Sequence, residues 1–247
     1  DIDIARSNPR VLYAMVEAPG SEGGLFRSND AGESWTLVNS GQRLRARPFY
    51  FHYVTVNPKN ENEVWVNELG LHKSIDGGKT FTALPSRHGD EHDVWIDPHD
   101  TQRMIKGDDG GGCVTYNGGR SWSTIFNQPT AQLYHAMADD AFPYRVYGSQ
   151  QDNSAISIPS ATVDGGIGER DWFMPGGGES GYIALKPSDP DIILAGAIGS
   201  GNFNGRLIQY NRKTGQHRNV TVWPELAGMG TGAGDLKYRF QWTYPIL

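Results

Sequence analysis

The sequence predicts an all-β fold, a β-propeller built of about five four-stranded blades. Three observations predict it: a polar turn motif present three times, a second turn present five times, and no apolar spacing of helical period. The first motif is "SNDAGESW", with Ser28, Asp30, Gly32, Ser34 and Trp35 at alternate or adjacent offsets. "SIDGGKTF" repeats it with Ser74, Asp76, Gly78, Thr80 and Phe81, and "TYNGGRSW" with Thr115, Asn117, Gly119, Ser121 and Trp122. The Asp or Asn falls at 30, 76 and 117, steps of 46 and 41 residues. Each copy joins two short apolar pieces, which reads as strand, tight turn, strand. Asp or Asn caps such a turn with its side chain, and Gly supplies positive φ. Trp35, Phe81 and Trp122 are expected in the core between sheets.

The second turn lies in "IARSNPRVLYA", "VNPKNENEVWV", "IDPHDTQRMIK", "ADDAFPYRVYG" and "LKPSDPDIILA". Its marker position holds Arg6, Pro58, Pro98, Asp140 and Pro187, steps of 52, 40, 42 and 47 residues. Together the two turns divide each unit of about 45 residues into four strands, the pattern of a propeller blade. The expected blades are residues 1–45, 46–88, 89–130, 131–178 and 179–235, with 236–247 opening another. Both ends of the chain read as innermost strands. Because an open blade edge exposes unpaired backbone groups, the expectation is a segment of a larger propeller.

Composition excludes several function classes. The 247 residues carry 32 Gly and 11% aromatics, as many turns between short strands require. The formal charge is −6 and no basic cluster occurs, which argues against a nucleic-acid partner. No apolar run approaches the roughly 18–20 residues of a membrane span. The single cysteine, Cys113, has no partner for an internal disulfide and reads as a small buried thiol. "GESGY" lacks the G-x-S-x-G spacing of a nucleophile elbow, and "GMGTGAG" lacks G-x-G-x-x-G before a helix. Asn219 and Thr221 form a glycosylation sequon of low specificity.

The three turn motifs resemble the Asp-box (BNR) repeats shared by sialidases, xyloglucan-hydrolysing propellers and sortilin-type receptor domains. The stretches "HGDEHDVWIDP", "NQPTAQLYH", "YRVYGSQQDNS", "GGGESGYIA" and "DLKYRFQWTYPI" are similar to large bacterial proteins described as sortilin-like or glycosyl-hydrolase-like BNR propellers. This resemblance covers nearly the whole chain. It implies a secreted, periplasmic or cell-envelope repeat protein. It says little of activity, because function on such a fold lives in its loops.

Blade order sorts those loops without the family. Loops leading into the first strand of a blade, and loops between its second and third strands, share one face. That face gathers His88, Asp90, Glu91, His92, Asp93, Asp108, Asp109, Tyr134, His135, Gln150, Gln151, Asp152, Glu179 and Trp242. Asp90, Asp108, Asp109 and Glu179 are the candidate catalytic carboxylates, enough for the acid and base of a glycosidase pair. His88, His92, Tyr134, Gln150, Gln151, Asp152 and Trp242 are the candidate ligand-binding residues: amides for sugar hydroxyls or peptide backbone, aromatics for a sugar face. His88, Asp90 and His92 share one parity and could hold a divalent metal if the strand extends that far, the only cofactor the sequence suggests. The competing expectations are a polar loop for the histidines, Asx turns for the carboxylates and channel filling for the aromatics.

The expected function is therefore binding of an extended polymer, glycan by preference, on this acidic face, with glycoside hydrolysis as the chemistry its carboxylates would supply. The alternative is a non-enzymatic, sortilin-like scaffold for a protein or extended peptide. Further blades, from a longer chain or another subunit, are the expected structural partners.

Overall fold

The computed structural model describes all residues except 49, 127, 129, 197–206, 222–233, 235–236 and 239–241. Two compact units are present, Asp1–Pro129 and Thr130–Leu247. The first holds three sheets. One comprises β1 (Ile2–Ile4), β2 (Leu12–Val16), β3 (Gly24–Ser28) and β4 (Thr36–Asn39). The next comprises β5 (Tyr53–Val56), β6 (Val64–Asn67), β7 (Leu71–Ser74) and β8 (Thr82–Ala83), and the third β9 (Glu91–Ile96), β10 (Met104–Asp108) and β11 (Gly111–Thr115). The second unit holds β12 (Leu133–Ala138), β13 (Arg145–Gln150) and β14 (Ala155–Pro159) in one sheet. Its other sheet comprises β15 (Ile183–Lys186), β16 (Asp189–Ala195), β17 (Ile208–Asn211) and β18 (Gln216–Asn219). In every sheet the strands lie side by side in chain order, and the pairings are antiparallel. The only helix among the described residues is two 3-10 turns, Gln42–Leu44 and Glu169–Asp171. These are the blades of an all-β propeller fold.

Two of the expected fourth strands are reduced to single rungs. In the third sheet Ser123 donates its amide to the Val114 carbonyl (2.9 Å), and its hydroxyl accepts from the Val114 amide (3.1 Å). In the fourth sheet one bridge joins Ser157 to Phe173. The expected blade at 179–235 and the strand expected from 236 fall partly outside the described residues; 242–247 are turn and coil.

The core sits between sheet faces, as alternation requires. Tyr13, Met15 and Leu25 meet Val54, Val56, Val64 and Val66, while Trp65 and Leu71 meet Val94, Ile96, Met104, Cys113 and Trp122. In the second unit Tyr147 and Ala155 meet Ile183, Ile193 and Ala195. Carboxylates add a join between first strands. Asp1 accepts the Val54 amide and Asp3 the Val56 amide, both at 2.7 Å, so β1 caps edge donors of β5 through side chains.

The repeated turns are superimposable in their bonding. Asp30 accepts from the Ser34 amide (2.9 Å), the Ser34 hydroxyl (2.5 Å) and the Ser28 hydroxyl (2.7 Å). Asp76 accepts equivalently from Thr80 and Ser74. Asn117 accepts the Ser121 amide at 3.0 Å and donates to its hydroxyl at 2.8 Å. Trp35 corrects the sequence expectation: it is 39% exposed, and its indole donates to the Gly32 carbonyl. Trp122 is buried and Phe81 packs against the first core.

These bonds have a pH signature. The hydroxyl and amide of Ser34, and those of Thr80, hold Asp30 and Asp76 at about 2, below the ordinary 3.8. A carboxyl lowered on folding contributes stability above its unfolded pKa and loses it as pH falls through the folded value. The thermal midpoint should therefore fall between pH 3.8 and about 2. Asp30→Asn with Asp76→Asn should flatten that decline while keeping the fold, since Asn117 already serves the same turn. An unchanged pH slope in the double variant would refute the assignment.

Candidate functional site

In the first unit, loops leading into one sheet are bonded onto the loop between the second and third strands of the sheet before it. The Asp90 and Glu91 amides donate to the carbonyls of Leu69 (3.2 Å) and Glu68 (2.7 Å). Asp90 adopts φ 56°, the left-handed region an Asp can tolerate, and its carboxylate pairs with Arg47 at 2.9 Å. Glu68 is buried; burial pushes its carboxyl up, opposed by backbone donors at Leu69, Ala46 and Arg47. The second unit repeats the device. The Asp152 amide donates to Glu179 at 2.7 Å, and the Ser149 hydroxyl to the Gly181 carbonyl at 2.7 Å.

A β-bulge decides what β9 shows to either side. Lys106 pairs with Val94 and Gly107 with Asp93, but Asp108 pairs with Glu91, leaving His92 as the extra residue. The shift carries Glu91 onto the inward face with Lys106 and Asp108. There the Lys106 ammonium donates to both Glu91 oxygens (2.8 Å each), to Asp108 (2.5 Å) and to Ser86 (2.9 Å). The side chains of all three charged residues are 0% exposed. Burial raises the Glu91 pKa against the opposing pull of Lys106 and Ser86. This cluster is a closed internal strut.

His92 turns the other way. Its Nε2 lies 2.6 Å from Asp109, and its ring meets Phe51 (4.8 Å between centroids) and Tyr50 (6.0 Å). Bulge and turn thus leave Glu91 and Asp108 buried on Lys106, and His92 in a more accessible contact with Asp109.

The second unit gathers the remaining candidates. Glu179, itself buried, binds the Asp152 amide and lies 3.4 Å from the Gln151 amide nitrogen. Asp152 holds φ 56°, matching Asp90. Gln150 is anchored to the Ser154 carbonyl at 2.9 Å, and Asn153 to the Gln151 carbonyl at 3.0 Å. Beside Glu179, the Ser180 hydroxyl donates to the Trp242 carbonyl (2.7 Å), and the Trp242 indole donates to the Tyr134 hydroxyl (3.0 Å). His135 stacks on Tyr182, centroids 4.0 Å apart and planes at 20°.

The structure thus brings Glu179, Gln151 and Asp152 together, and Tyr134 with Trp242. It separates His88, Asp90 and His92. β9 begins at Glu91, so their shared parity does not persist; His88 Nδ1 faces the Gly89 carbonyl, Asp90 faces Arg47 and His92 faces Asp109. Among the described residues no three His, Cys, Asp or Glu side chains form a metal-sized group. Asp108 is locked by Lys106. Sequence reasoning missed Lys106, Arg47 and the His135–Tyr182 stack. Lys106 was findable, since it shares the parity of Met104, a core position of the same strand.

Blades stitched loop to loop, with polar and aromatic side chains on those loops, define a repeat scaffold of the β-propeller class. No protein-family model matches the chain. A Neosartorya fischeri protein named "Probable oligoxyloglucan-reducing end-specific xyloglucanase" is 24% identical over 234 residues, 90% of this chain and 26% of that protein. The chain therefore spans about a quarter of that relative's length. Similar solved structures include a GH74 enzyme from Niastella koreensis: 18% identity, 78% of this chain and 33% of that one, TM-score 0.40. A GH74 xyloglucanase from Xanthomonas campestris gives 16%, 92%, 38% and 0.39. YCF48 from Cyanidioschyzon merolae gives 16%, 87%, 72% and 0.36.

Proposed function

We propose that this chain binds an extended neutral glycan through the loops around Glu179, as part of a protein that acts outside the cytoplasm. The observation that carries the reading is the second unit's loop cluster. Anchored amides at Gln150, Gln151 and Asn153 stand with the Tyr134–Trp242 pair and the His135–Tyr182 stack. Amides match sugar hydroxyls and aromatic faces match the C–H face of a pyranose. Likeness to a protein named as a xyloglucanase supports xyloglucan as the first glycan to test. Buried Glu179 positions the loop, through the Asp152 amide, rather than meeting the sugar.

Hydrolysis is the finer part of the proposal and is argued for the first unit by itself, apart from the binding loops of the second. Asp108 is enclosed with Lys106, and Asp90 is paired with Arg47. Asp109, 2.6 Å from the His92 ring nitrogen, is the candidate carboxylate of this unit that lies beside an imidazole, the pairing general acid–base chemistry uses.

Xyloglucan oligosaccharides should bind the full chain, and Tyr134→Ala or Trp242→Ala should each weaken binding about tenfold, as loss of one aromatic anchor does. Calorimetry measures binding, and a reducing-sugar assay with wild type and Asp109→Asn measures cleavage. Absence of both binding and release would remove the glycan reading. Binding of a basic peptide instead would favour the scaffold alternative.

A further inference from the structure

The second unit contains a pocket unrelated to these loops. It lies at the turn preceding β13 and beside the end of β14, with a volume of about 510 Å³. Three arginines line it, Arg145, Arg170 and Arg212, against one carboxylate, Asp171. In a chain of net charge −6 this concentration is a local inversion of sign. Phe142, fully exposed, and Pro143 supply an apolar wall.

The arginines are held in unequal ways. Arg145 donates to the Ser157 hydroxyl (2.9 Å) and to the carbonyls of Ser157 (3.0 Å) and Asp171 (2.8 Å), all neutral acceptors. Its face lies over Phe173, 4.8 Å from the ring centroid. Burial lowers its pKa, and the charge of Arg212 acts in the same direction, opposed by Tyr147, Asp139 and Asp171. Arg212 pairs with Asp191 at 3.1 Å, but Lys213 holds that same carboxylate at 2.8 Å, so Arg212 can leave without stranding it. Arg170 pairs with Asp164 where both side chains are largely exposed, a contact worth little against a competing ligand. One Asp171 oxygen accepts the Gly168 amide at 2.8 Å, and the other lies 3.9 Å from Arg170, a long and half-open contact. One guanidinium is fixed by neutral acceptors with no direct ion pair, and two others are weakly committed beside it.

We propose that this pocket binds an acidic sugar residue, its carboxylate or sulfate ester received by Arg145, Arg170 and Arg212 and its ring resting on Phe142 and Pro143. Guanidinium forks suit planar or tetrahedral oxyanions, and the volume falls in the range of small-ligand sites. The site is separate from the loops around Glu179, and its failure would leave the neutral-glycan reading standing.

The test titrates trigalacturonate into the full chain by calorimetry at low salt, with a sulfated trisaccharide, inorganic sulfate, neutral cellotriose and a phosphopeptide as further probes. Trigalacturonate or the sulfated trisaccharide should bind, cellotriose should not, and affinity should fall about tenfold in 0.5 M NaCl through screening. Arg170→Gln with Arg212→Gln should weaken binding about tenfold or more while the thermal midpoint stays near wild type. Arg145 is kept intact because it ties three acceptors of the fold. Tyr134→Ala and Trp242→Ala should leave this binding unchanged. The proposal is overturned if neither acidic sugar binds, or if the arginine variants bind equally well. Sulfate binding as tightly as the sugars, or the phosphopeptide alone binding, would overturn the sugar assignment.

Discussion

Lys106→Met should lower the free energy of unfolding by about 3–5 kcal/mol, because removing one partner leaves buried charge without compensation. Its ammonium is the shared donor for Glu91 and Asp108, all enclosed at 0% side-chain exposure. Adding Glu91→Gln and Asp108→Asn should recover most of the loss, since neither amide carries charge into the interior. Urea unfolding of the two variants measures both quantities. A pH series adds a sign. Burial already raises the Glu91 pKa above its ordinary 4.5, and without Lys106 the opposing pull is gone. A carboxyl raised on folding binds its proton more tightly in the native state, so the variant should regain stability as pH falls toward 4.5. Wild-type-like stability at neutral pH in Lys106→Met would mean that the strut admits water.

Trp65→Ala should cost about 3–5 kcal/mol, the usual consequence of truncating a fully buried indole. Among the described residues Trp65 is the largest side chain buried at 0% exposure, and it fills the space between the second and third sheets. Its indole donates to Glu63 at 3.1 Å, and Lys73 lies 4.7 Å from its ring centroid. The turn glycine of the next sheet rests on it: a Cβ at Gly119 would sit 2.8 Å from the Trp65 ring, at φ +81°. Gly119→Ala should therefore destabilise twice over, by backbone strain and by collision. In the Trp65→Ala background the collision disappears and only the strain remains. Thermal unfolding of the four-member cycle should give a coupling of about 1 kcal/mol or more, as for residues in contact. Strict additivity would show that the turn shifts to make room.

Gly119 also explains why the repeated turn motif was legible. Its Gly is required by conformation and by close approach, and its Asp or Asn by local bonding to residues four positions on. Such requirements lie within a few residues, so they print directly on the sequence. Strand order and the burial of Cys113 and Trp122 were legible too, from connection length and from alternation along each strand. Trp35 was misplaced because its motif fixes the turn, whereas its burial depends on what covers the outer strand.

The sequence by itself determined the all-β blades, their antiparallel order and the residue types carried by the loops. All of these follow from period, turn chemistry and connection length. Only the tertiary structure decided which of those residues meet. One bulge at His92 sends Glu91 inward to Lys106 and leaves His92 outside with Asp109, and a single extra residue is invisible to a period-2 reading. Left-handed backbone at Asp90 broke the shared parity of His88, Asp90 and His92 for the same reason. Pairing across strands depends on register and on backbone twist, which contacts many residues distant set together, whereas a turn depends on its own few side chains.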